Sequence, residues 1–67
     1  MIVTTVATLL PGQTMLRKAS LPRDYGTVER VERLTNRTYI WRDVFEITFT
    51  DGETKKMIGA ETAILKD

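Results

Sequence analysis

Few side chains in this chain have the types and spacing to do chemistry. Asp43, Glu46, Asp51 and Glu53 lie close together in sequence, and paired carboxylates can exchange protons or hold a hard cation. Their local contexts argue for something plainer. Glu46 takes the outward phase of an alternating run, and Asp51 precedes Gly52 in a turn dipeptide, so a solvated charged face is expected. Ser20 is a potential nucleophile, but the 67 residues contain no histidine to activate it and no cysteine to replace it. Lys55-Lys56 has no visible desolvating pocket that would activate an amine. The four glycines, Gly12, Gly26, Gly52 and Gly59, are dispersed at turn-like positions and form no phosphate-binding loop. The expectation is a protein that is not an enzyme and has no cofactor and no metal.

Binding chemistry is better represented. Tyr25, Arg30, Arg33, Arg37, Tyr39, Trp41 and Arg42 interleave cations with aromatic rings, the combination that holds single-stranded nucleic acid. Net charge is only +1, which argues against a protein that coats nucleic acid, yet the charge is uneven. Residues 1–16 carry none. Arg17, Lys18, Arg23, Arg30, Arg33, Arg37 and Arg42 outweigh Asp24, Glu29 and Glu32 in the middle, whereas carboxylates dominate from residue 43 onward. A plainer account exists here too. Trp41 is the only tryptophan and belongs partly in the core, and Arg30 and Arg33 have Glu29, Glu32 and Glu46 as partners. Arg, Tyr and Trp also anchor protein interfaces. A protein partner or a second copy of the chain is therefore expected first, and DNA or RNA second. The steep salt dependence of phosphate contacts separates the two.

The elements that would position these groups are strands. The chain is 42% apolar and 28% charged, ordinary globular composition, and its length allows one domain, residues 1–67. Residues 2–10 are uncharged and rich in β-branched side chains, which favours a strand. They lack a basic n-region and a cleavage site and have half the length of a membrane span, so no membrane partner and a cytoplasmic location are expected. Pro11-Gly12 marks a turn, and residues 13–19 resume as a strand with Met15 or Leu16 inward. Residues 21–26 form an irregular connection. In residues 27–34, Val28, Val31 and Leu34 suit either a two-turn helix or a strand with one bulge, and the strand is favoured. Residues 38–50 are aromatic and β-branched, with Phe45, Ile47 and Phe49 sharing one face. Asp51-Gly52 then predicts a hairpin. A two-residue loop would set Ile58 on the Phe45 face, a three-residue loop with left-handed Gly52 would set Met57 there, and the second is expected. Residues 59–62 form a tight turn or short 3₁₀ segment before a last strand at residues 63–65.

This order of short strands resembles an SH3-like barrel. Leu9-Leu10-Pro11-Gly12, Thr27-Val28-Glu29-Arg30-Val31 and Phe49-Thr50-Asp51-Gly52-Glu53 are similar, in that order, to motifs of the small SH3-like β-barrel proteins of actinobacteria and their phages. The resemblance implies an all-β fold of five to six short antiparallel strands and a phage-encoded accessory protein, and it carries no catalytic residue. Barrels of this type bind nucleic acid, bind peptides or build oligomers. Residues 13–19, 27–34, 38–50, 54–58 and 63–65 would suffice for five strands. Residues 2–10 are then surplus, and Ile2, Val3, Val6 and Leu9 become candidates for self-association as a symmetric dimer, since an edge without Lys or Pro invites pairing.

Overall fold

The computed structural model describes residues 2–35, 38 and 43–66. Among them six strands form one antiparallel sheet: β1 (Ile2–Thr5), β2 (Thr14–Lys18), β3 (Asp24–Leu34), β4 (Val44–Phe49), β5 (Thr54–Ile58) and β6 (Thr62–Leu65). Their spatial order is β1-β6-β2-β3-β4-β5. Of the long stretch 38–50, Thr38 and residues 43–50 are described, the latter containing β4; Arg37, Tyr39, Trp41 and Arg42 lie outside the described residues.

Residues 2–10 are not one strand, and they are not surplus. β1 stops at Thr5 after pairing with β6, Ile2 opposite Leu65 and Thr5 opposite Thr62. Val6–Thr8 then turns as a 3₁₀ helix. The reason is burial. A strand would put Val6 and Leu9 on opposite faces, whereas a three-residue turn stacks them on one side, where both enter the core. The turn is tied down by Val6 N–H to Glu61 O at 2.9 Å and Ala7 N–H to Gly59 O at 3.0 Å. Thr8 Oγ1 also donates to Thr5 O at 2.9 Å. Conversely, the connection after β5 contains no 3₁₀ helix: Glu61 N–H bonds Ile58 O at 3.0 Å in a simple turn.

β3 links the two halves of the sheet. It begins at Asp24, earlier than the Pro22 and Gly26 signals imply, and it is a strand throughout. Its register against β4 shifts between Val28 and Arg30. That bulge absorbs the phase change between Val28 and Val31 that had made a helix conceivable. Val28 and Val31 consequently both turn to the Phe49 and Ile47 side of β4.

The core is Val6, Leu9, Met15, Val28, Ile47, Phe49 and Ala63, with Val31, Phe45, Met57 and Leu65 packed against it. The row Phe45, Ile47, Phe49 is thus inward, and Met15 rather than Leu16 faces in. At the β4–β5 hairpin Phe45 lies opposite Met57, the three-residue-loop register. Gly52 has φ +91° and donates to Phe49 O at 2.9 Å, while Phe49 N–H bonds Glu53 O at 2.8 Å. Only glycine takes that backbone conformation without strain.

Candidate functional site

Of the expected basic and aromatic patch, Tyr25, Arg30 and Arg33 are described, and strand phase separates Arg33 from Arg30. Two-residue periodicity puts Arg33 in the row of Val31, Phe45 and Ile47, and Arg30 on the opposite face with Thr48. Arg33 is also neutralised, its Nη2 lying 2.7 Å from Asp43 Oδ1 with both side chains exposed. Tyr25 precedes the bulge, opposite Leu16 on β2, and Lys66 Nζ sits 5.7 Å from its ring centroid. Of the acidic residues, Glu46 lies opposite Glu32 on one side and Lys56 on the other. Ser20 is exposed in the loop after β2. Among the described residues no three His, Cys, Asp or Glu side chains are placed to hold a metal ion.

A different basic residue organises the molecule. Arg17 occupies a bulge in β2, where the register against β3 shifts between Leu16 and Lys18. Its guanidinium reaches Asp24 Oδ1 at 2.8 Å and Asp51 Oδ2 at 2.7 Å, joining the start of β3 to the tip of the β4–β5 hairpin. The same group lies 5.0 Å from the centroid of Phe49, close enough for the ring face to attract the cation. Arg17 Nε is buried with no hydrogen-bond partner among the described residues. The two carboxylates, Asp24 first, raise the Arg17 pKa even further above its normal range. Arg17 in turn holds Asp51 below the usual carboxylate range, with help from Glu53 N–H, which bonds Asp51 Oδ1 at 3.0 Å.

Lys55 completes the cluster. It stands opposite Ile47 on the inward row, an unlikely place for an amine. The bulge explains it: the Arg17 carbonyl accepts from Lys55 Nζ at 2.8 Å, so the lysine satisfies a carbonyl displaced from the regular ladder. An open cavity of about 270 Å³ lies beside these groups, lined by Arg17, Lys18, Phe49, Glu53, Thr54 and Lys55. The sequence lists Arg17 as one cation among ten, and no local signal marks the bulge that turns it inward.

The candidate self-association residues divide. Val6 and Leu9 are core, 0% and 5% exposed, and present nothing to a partner. Ile2 and Val3 are 52% and 54% exposed. They lie on β1, which ends the sheet and pairs on one side only. The opposite edge strand, β5, carries Lys55 and Lys56, the kind of charge that discourages edge pairing. β1 carries no such guard.

Comparison of the chain with protein-family models, curated proteins and solved structures finds no match. Among the described residues no helix is long and apolar enough to cross a membrane.

Proposed function

We propose that this chain is a non-enzymatic binding module, a small SH3-like barrel that engages a protein strand along the outer edge of β1. The barrel reading draws on the way the sheet bends: Lys55 on β5 reaches the backbone of β2, and the 3₁₀ turn after β1 bonds Gly59 beyond the end of β5. One observation carries the binding reading. β1 is uncharged, half-exposed at Ile2 and Val3, and paired only with β6. Main-chain hydrogen bonds along such an edge supply affinity, and the neighbouring apolar side chains supply selectivity. Nucleic-acid binding has less support, because Arg30 and Arg33 face opposite ways and Arg33 is paired with Asp43.

A pull-down from a lysate of the source cells tests the reading. Wild-type protein should retain a partner after nuclease treatment, and Val3→Lys should lose it. Retention that vanishes with nuclease, or that survives Val3→Lys, would overturn the assignment of β1.

A further inference from the structure

The tip of the β4–β5 hairpin holds a pair of residues that can react with each other. In an aspartyl-glycyl pair the glycine nitrogen can attack the aspartate Cγ, since glycine neither shields its nitrogen nor restricts the turn the chain must make. The N–Cγ bond forms, and the hydroxyl of the protonated carboxyl leaves with the nitrogen's proton as water. Water then opens the resulting five-membered imide at either carbonyl. Opening at Cγ restores aspartate. Opening at the main-chain carbonyl leaves isoaspartate, with the backbone running through Cβ and Cγ. Asp51 and Gly52 are such a pair, exposed to the water the second step consumes.

The fold restrains every atom this reaction uses. Asp51 Oδ2 accepts from Arg17 Nη1 at 2.7 Å, and Oδ1 accepts from Glu53 N–H at 3.0 Å. Donors on both oxygens favour the ionised carboxylate, which has no hydroxyl to lose, and they fix the orientation of Cγ. The nucleophile is engaged as well, because Gly52 N–H donates to Phe49 O at 2.9 Å. Two of these restraints come from the hairpin itself. The third, Arg17, comes from β2 and is firmly seated. Its side chain is 13% exposed, bonds Asp24 Oδ1 at 2.8 Å and lies 5.0 Å from the Phe49 ring centroid.

We propose that Asp51-Gly52 is a site of spontaneous isoaspartate formation, and that Arg17 keeps it in the aspartyl form. The reaction removes the contact that restrains it. Isoaspartate lengthens the main chain by one carbon, and its free carboxylate is attached directly to Cα. From there it no longer reaches Arg17 and Glu53 together, and the added atom displaces Gly52 from the Phe49 carbonyl. Arg17 keeps Asp24 alone, and the hairpin tip comes away from β2 and β3. This inference is independent of the reading of β1.

Ageing the purified chain at neutral pH, in native buffer and in urea, tests the proposal. Isoaspartate is counted by enzymatic methylation of its free carboxylate with labelled S-adenosylmethionine. Its position is read by electron-transfer fragmentation, because the mass does not change. Native wild type should form isoaspartate at residue 51 about tenfold or more slowly than the same chain in urea. Native Arg17→Met, which keeps an apolar stem beside Phe49, should close most of that gap. Arg17→Lys keeps the charge but cannot fork between Asp24 and Asp51, so it should fall between the two; it carries the test if Arg17→Met does not fold. Ile47→Val, loosened in the core alone, controls for global unfolding and should age like wild type. Native wild type ageing at the urea rate, or Arg17 variants ageing as slowly as wild type, would overturn the proposal. So would Ile47→Val ageing as fast as the Arg17 variants, or no isoaspartate at residue 51 in urea.

Discussion

Gly26→Ala tests the packing around Arg17 most directly. Gly26 is buried on β3 opposite Met15. A Cβ placed there would lie 2.7 Å from Arg17 Cδ, 2.8 Å from Arg17 Nε and 2.8 Å from Phe49 Cδ1. All three separations are well inside van der Waals contact, and none involves the free end of a flexible chain. Phe49 is 1% exposed and cannot retreat without disturbing Val28 opposite it. Overpacking of this kind costs about 1–3 kcal/mol. Against it, alanine restricts the unfolded chain and recovers about 0.4–1 kcal/mol. The difference is a net loss of about 1–2 kcal/mol, and a domain of this size shifts by roughly 4–8 °C per kcal/mol, so the midpoint should fall by about 5–15 °C.

Thermal unfolding followed by circular dichroism measures the shift. A double-mutant cycle with Arg17→Ala identifies its source. Removing the Arg17 side chain takes away two of the three close contacts, so Gly26→Ala should cost less in that background than in the wild type. An unchanged or raised midpoint for Gly26→Ala would refute the close approach of Arg17 and Phe49 to β3. Strict additivity in the cycle would refute Arg17's part in it.

Two further measurements probe the core and the charged cluster. Ile47 is 0% exposed at the centre of β4, and Ile47→Ala should cost about 2–5 kcal/mol, most of the roughly 3–10 kcal/mol available to a chain of this length; a nearly silent melt would place Ile47 outside the core. Asp51 is held below its normal pKa by Arg17, so its contribution is fully present above the unfolded carboxylate range and is lost as pH falls through the lower folded value. Stability should therefore decline below about pH 4 in the wild type and less steeply in Asp51→Asn, with the difference reduced by salt because Asp51 is half-exposed; parallel profiles at low salt would count against the Arg17–Asp51 pair.

The parts of this fold that were legible in sequence are those governed by local periodicity. The row Phe45, Ile47, Phe49 alternates, and only one phase buries it. Gly52 allows a left-handed turn, and the three-residue loop follows, with Met57 beside Phe45. Val28 and Val31 betray a bulge because strand periodicity must slip once to bury both. Where the reading departed from the structure, a distant partner overrode local preference. Val6 to Leu9 is strand-like by composition, yet burying Val6 and Leu9 together demands a turn, and Glu61 and Gly59 supply its hydrogen-bond acceptors. Lys55 stands opposite Ile47 on the inward row, and local pattern cannot show why, because its acceptor, the Arg17 carbonyl, lies 38 positions away. Within the basic stretch, nearness in sequence does not imply a shared face: a spacing of three along a strand puts Arg30 and Arg33 on opposite faces. The same parity separates the two edges. On β5, lysines guard the rim. On β1, which pairs with β6 alone, no charged side chain stands at the rim.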